Sequence, residues 1–108
     1  MLLLSTKLKN RIRKAPGDFT FFLKNVEING VKRGCSGFIR NNRNHSYVYV
    51  NTERSAYNGV PNYMYRYADN EKDYTGYCNR WADTLEELAS NIIKLLNSSP
   101  IEQHDTHI

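Results

Sequence analysis

The sequence predicts an α+β domain, a four-stranded antiparallel sheet with one helix before it and one after it, in the order α-β-β-β-β-α. Three observations predict it. Leucine and isoleucine recur at helical spacing near the N-terminus and again between Leu85 and Leu96, Asn29-Gly30 sits between two runs of strand composition, and two tyrosine runs alternate at period two. At 108 residues the chain is long enough for one core and too short for two. Residues 1–100 are expected to form this single domain and residues 101–108 a flexible tail.

In residues 2–14, Leu4, Leu8 and Ile12 recur at i, i+4 and i+8, with Lys7, Lys9, Arg11, Arg13 and Lys14 between them. That spacing gives a short amphipathic helix with a narrow apolar stripe and a basic ridge, stopped by Pro16-Gly17. The ridge is either a solvated face that complements the helix dipole or a set of phosphate contacts.

From Asp18 the pattern becomes strand. Asn29-Gly30 is a strong hairpin signal, because both central positions of a type I′ turn need positive φ. Residues 19–28 and 31–40 should therefore pair antiparallel, with Ile28 opposite Val31 and Glu27 opposite Lys32. Gly34 and Gly37, on either side of Cys35-Ser36, predict a bulge or a close backbone approach. Residues 40–45, RNNRNH, form a polar turn rich in donors.

Six of the eight tyrosines fall within residues 46–68. Residues 47–51 and 62–68 read as the next two strands, joined by a loop carrying Asn58-Gly59 and Pro61. Alternation sets Tyr47 and Tyr49 against Val48 and Val50, and Tyr63, Tyr65 and Tyr67 against Met64, Arg66 and Ala68. The expectation is one sheet face bearing a five-tyrosine ladder. Residues 69–76, DNEKDYTG, read as a charged connection that leads through Tyr77, Cys78 and Trp81 to the final helix. Asp83 or Thr84 can cap that helix, Glu86 and Glu87 suit its first turn, and Leu85, Leu88, Ala89, Ile92, Leu95 and Leu96 form its stripe. Asn97-Ser98-Ser99-Pro100 ends it.

The face that the last helix covers decides what the tyrosines do. Over the valines, it leaves them outward as rigid amphipathic contacts, the kind of side chain binding surfaces favour. Over the ladder, it makes them core. The outward case gives a partner-binding surface of Tyr47, Tyr49, Tyr63, Tyr65 and Tyr67 flanked by Arg33, Arg40, Arg43 and Arg66.

Charge is divided along the chain. Residues 1–45 hold ten of the fifteen Lys and Arg residues and two of the eleven acids, a net charge of +8, which leaves −4 for the remainder of a chain whose total is +4. Such a division argues against a cationic coat over the whole molecule and for a partner met from one side, either phosphate or an acidic protein surface. Two cysteines without a C-x-x-C pair, a leucine run too short for a secretory signal and no apolar stretch of membrane-span length predict a cytoplasmic protein with reduced thiols and no membrane partner.

Chemistry is sparse. Cys35, His45, Cys78 and either His104 or His107 can in principle supply a tetrahedral zinc site, but they are scattered singly rather than paired in knuckles, and no cofactor is expected. Cys35 or Cys78 with His45 lacks the setting of an activated nucleophile, and Asp69, Glu71 and Asp73 read as a solvated run, so no catalytic residues are expected and the protein is not read as an enzyme. Direct DNA or RNA binding through the basic half and the tyrosines is the alternative function. The element order resembles double-stranded RNA-binding domains, but where they carry a lysine cluster at the start of the last helix this chain has the acidic ADTLEE.

GFIRNN, YVYVNTE, YMYRYADNEKDYTGY and DTLEELASNIIKLL together resemble the small phage and mobile-element proteins of low-GC Gram-positive bacteria, the group that includes anti-CRISPR inhibitors. The resemblance implies a stoichiometric binder that occludes a host nucleic-acid enzyme such as a CRISPR effector nuclease, and it carries no functional residue with it. Members that mimic nucleic acid are acidic; the basic front half here departs from them and suits an acidic protein surface or a nucleic-acid-loaded complex.

Overall fold

The computed structural model describes residues 3–28, 30–52, 63–76 and 78–98, with backbone alone at residues 28 and 31–33. Asn29, Asn58-Gly59, Pro61, Tyr77, His104, His107 and the expected tail at 101–108 lie outside the described residues, as does the side chain of Arg33. The elements are α1 (Leu4–Arg13), β1 (Phe19–Ile28), β2 (Val31–Asn41), β3 (Ser46–Asn51), β4 (Tyr63–Ala68), β5 (Arg80–Ala82) and α2 (Leu85–Leu96). Among the described residues, the α+β class and its two helices are as expected; the sheet has five strands rather than four, all antiparallel and in chain order. The extra strand, β5, is only three residues long, too short to show alternation in a sequence. Among the described residues, no helix is long and apolar enough to cross a membrane.

The first hairpin takes the expected register, with Ile28 opposite Val31 and Glu27 opposite Lys32. Val26 pairs with Gly34, so Arg33 is the extra residue of a bulge beside Gly34. Gly37 provides the close approach: its φ is +145°, and a Cβ there would collide with the backbone of Phe22 and Leu23.

The two tyrosine runs do not share a face. Directly opposed residues of antiparallel strands point to the same side, and β3 and β4 pair Val50 with Tyr65, Val48 with Tyr67 and Tyr49 with Arg66. Tyr63, Tyr65 and Tyr67 therefore join the valines, while Tyr47 and Tyr49 join Arg66 on the opposite side. The expected five-tyrosine ladder is corrected to a division of three and two. Alternation within a run fixes faces only relative to that run, and a one-residue change of register exchanges them.

Both helices cover the valine side. Leu8 and Ile12 of α1 and Leu88, Ala89, Ile92, Leu95 and Leu96 of α2 pack on Cys35, Ile39, Val48, Val50, Tyr65 and Ala82, with Phe19, Phe21, Leu23 and Tyr63 around them. Each buried leucine or isoleucine contributes about 1.5–3 kcal/mol relative to exposure. Polar contacts set the helices in place. Ser5 donates to Asn25 Oδ1 at 2.6 Å, tying α1 to β1. Thr84 caps α2 by accepting from the Glu87 amide at 3.0 Å, and the Glu87 carboxylate accepts from the Asp83 amide at 3.2 Å.

The donors of the β2–β3 turn serve the other end of α2. Asn41 and Asn44 both donate to the Leu96 carbonyl, at 2.8 and 2.9 Å, and Ser46 donates to the Ser98 carbonyl at 3.2 Å. Carbonyls in the last turn have no partner within the helix, and these side chains supply one. Asn41 is buried, so Asn41→Ala should destabilise the fold by about 1–3 kcal/mol, the cost of an unmet buried polar group, while Asn44→Ala at the exposed rim costs less. Urea unfolding of both variants measures the difference.

A candidate docking surface on the helix-free face

The side of the sheet away from the helices carries Thr20, Phe22, Lys24 and Val26 of β1, Ser36, Phe38 and Arg40 of β2, Tyr47, Tyr49 and Asn51 of β3, Met64, Arg66 and Ala68 of β4, and Trp81 of β5. No acidic residue stands among them. The centre is nevertheless dry, because residues 69–76 fold back over it.

Arg66 organises that cover. Its side chain is 2% exposed, with the guanidinium 4.6 Å from the centre of the Tyr49 ring. Nη2 donates to the Asp73 carbonyl and Nη1 to the Tyr67 carbonyl at 3.3 Å, and the Asp73 carboxylate lies 3.6 Å from Nη1. The same carboxylate accepts from the Asp69 amide at 3.0 Å, so one acid both neutralises the arginine and closes its own loop. Gly76 passes so close that a Cβ would strike the guanidinium. Tyr74 stands edge-on to Phe38 at 5.1 Å and to Tyr49 at 6.0 Å, and Phe38 and Tyr49 are themselves 5.0 Å apart. Edge-to-face geometry at these distances is favourable beyond area alone.

Around this centre, large side chains meet solvent. Phe22 and Trp81 are each 43% exposed and Tyr74 is 59% exposed; Met64 is half-buried beside Trp81, and these two line a shallow pocket with Asn51 and Asn79. At the β2–β3 end, Arg40 lies over the Tyr47 ring at 5.8 Å and its Nη2 meets His45 Nδ1 at 2.5 Å. The surface thus has a packed aromatic centre beneath and exposed aromatic side chains around it.

The residues expected to bind a partner are dispersed. Tyr47 is half-buried and Tyr49 buried on this face. Tyr65 is core under the helices, and Tyr63 and Tyr67 are half-buried on that same side. Partial burial raises the pKa of Tyr67, and the charge of Asp69 adds to the rise. Arg43 is exposed in the β2–β3 turn, Arg40 is half-buried, and Arg66 is committed to Asp73 and Tyr49. Phe22, Tyr74, Trp81 and Met64 were not singled out for this role. The adjacent phenylalanines of β1 carried a usable signal, since one of any two neighbours in a strand must face away from the core.

The zinc candidates are also apart in kind. Cys35 is fully buried under the helices, Cys78 is exposed before β5, and His45 is exposed beside Arg40. Among the described residues, no three His, Cys, Asp or Glu side chains form a group of metal-site size. Neither Cys35 nor Cys78 is in a disulfide.

No family model, curated protein or solved structure matches this chain.

Two outcomes are expected of these side chains. Asp73→Ala strands a buried guanidinium and should cost about 2–3 kcal/mol in urea unfolding, below the ~3–5 kcal/mol of a fully buried pair because two carbonyls still accept from Arg66. Burial pushes the Cys35 thiol from 9.0 up to about 12, against the pull of Lys9. A thiol reagent should therefore modify Cys78 alone in the folded protein and both cysteines in urea. The unfolded thiol loses its proton near 9.0 while the folded one keeps it to about 12, so the folded state binds more protons in that window and stability should fall as pH rises through it.

Proposed function

We propose that the chain is a non-catalytic binding protein that blocks a bacterial defence nuclease by stoichiometric occlusion, acting in the cytoplasm of the host cell and docking through the helix-free sheet face. The observation that supports the docking surface is the exposure of Phe22, Tyr74 and Trp81 on one face over a buried aromatic centre. Aromatic anchors cover much area while freezing few torsions, and a preformed platform lowers the cost of ordering them. The class of partner comes from the resemblance to anti-CRISPR and related phage proteins. Lys24 and Arg40 on this face, with Arg43 in the adjoining turn, favour an acidic protein surface or a nucleic-acid-loaded nuclease. Neither a cofactor nor a catalytic residue has a part in this reading.

Direct nucleic-acid binding is the second reading, favoured by exposed aromatics beside the same cations. A gel-shift series at rising salt separates the two. Tight, steeply salt-dependent binding to plain DNA or RNA supports the second, and its absence supports the first.

For the first reading, the protein should co-purify with a candidate CRISPR effector nuclease and abolish cleavage at a one-to-one ratio. Trp81→Ala and Tyr74→Ala, each folded by circular dichroism, should weaken inhibition by about 10-fold or more, the loss of a central aromatic anchor. Unchanged inhibition by both variants rejects the helix-free face as the docking surface.

A further inference from the structure

We propose that β1 pairs with β1 of a second copy of this chain, joining two five-stranded sheets into one across a twofold axis. β1 is the edge of the sheet, and among the described residues its strand partner is β2 alone. Its composition is that of a covered strand. Phe19-Thr20-Phe21-Phe22-Leu23 carries neither a charge nor a proline, the devices that protect an edge strand from pairing. Phe21 is half-buried and Phe22 is 43% exposed, whereas Ile39 and Phe38, opposite them on β2, are buried. The other edge, β5, is three residues long, a length that itself discourages pairing.

The hydrogen-bond pattern of β1 selects a register. The Asn42 amide donates to the Asp18 carbonyl, and the Thr52 amide donates to the Cys35 carbonyl. With strict alternation along an antiparallel ladder, the first bond gives Thr20, Phe22 and Lys24 to β2, and the second gives the odd-numbered residues of β2 to β3. The amides and carbonyls of Phe19, Phe21, Leu23 and Asn25 therefore point away from the sheet. Antiparallel pairing centred on Phe22 uses all four, Phe19 with Asn25 and Phe21 with Leu23 of the second copy, and the converse. Phe22 then meets its twin at the axis on the helix-free face, and Lys24 faces Thr20 rather than another Lys24. The bulge at Val26 and Glu27 ends the pairing just beyond this window.

A foreign strand can use the same backbone groups. The second copy is favoured because one register satisfies all four outward residues, pairs identical aromatic rings at its centre and keeps like charges apart. Such an axis, perpendicular to the sheet, brings both copies of α1 to one side with their Lys7, Lys9, Arg11, Arg13 and Lys14. Association should thus strengthen as salt screens these cations, over a Debye length of ~8 Å at about 0.15 M. The inference does not rest on the docking reading, although both use Phe22; sedimentation of the Phe22 variants tests association, and the Tyr74 and Trp81 variants test docking.

Sedimentation of the full chain at moderate salt should show a concentration-dependent species of twice 12.6 kDa. Phe22→Lys, which opposes like charges at the axis, should leave a monomer with unchanged circular dichroism. In a Cys78→Ser background, Phe22→Cys should oxidise to a covalent dimer, because directly opposed residues of a non-hydrogen-bonded pair have Cα atoms about 4.5 Å apart. Lys24→Cys, whose twin lies four residues along the strand, should not. A chain that stays monomeric at every concentration overturns the proposal. So does a dimer that persists in Phe22→Lys with no cross-link in Phe22→Cys, since it must use another surface.

Discussion

The antiparallel register that sets Val50 against Tyr65 and Tyr49 against Arg66 decides what lies on each side of the sheet. On one side it completes an apolar floor for two helices, with a tyrosine ring taking the place of a third aliphatic row. On the other it puts a guanidinium beside an aromatic ring, in a position that water cannot fill once residues 69–76 close over it. An isolated buried charge is costly, and here the cost is offset by Asp73, by two backbone carbonyls and by the Tyr49 ring. The loop answers the arginine through Asp73, and the same fold-back brings Tyr74 onto Phe38 and Tyr49.

The two layers are joined by polar tethers, buried at Asn41 and part-buried at Asn25 and Asn44. Asparagine does much of this work: Asn25 receives Ser5 from α1, and Asn41 and Asn44 hold the end of α2. A carboxamide can donate and accept without charge, which suits a site where helix, turn and strand converge. The exposed pair of Arg11 and Glu86, at 3.3 Å between α1 and α2, adds little by comparison, since solvent screens it.

Local structure was legible in the sequence wherever one short segment contained its own answer. Leu4, Leu8 and Ile12 announced α1, Asp83 or Thr84 before Glu86 and Glu87 announced the start of α2, where Thr84 is the cap, and Asn29-Gly30 announced a hairpin whose register proved correct. What required two distant segments was not legible. The phase between the tyrosine runs depends on how β4 approaches β3, and neither run encodes it alone. The candidate surface suffered in the same way. Tyr74 sits in a segment whose charges suggested solvent, and its position follows from Arg66, which itself looked like a free surface cation.

The strand order, each strand beside its neighbour in sequence, also bears on how the chain assembles. Every pairing in the meander closes over a short span, so the sheet can grow by successive hairpins. The roof cannot: Arg11 of α1 and Glu86 of α2 meet across 75 residues of chain. During synthesis from the N-terminus, Ile39, Val48 and Val50 await Leu88, Ile92 and Leu96, which follow all five described strands in the chain. The nascent sheet therefore keeps the α2 share of its greasy side uncovered, with only α1 over it, and release of α2 is the step that makes it safe in a crowded cell.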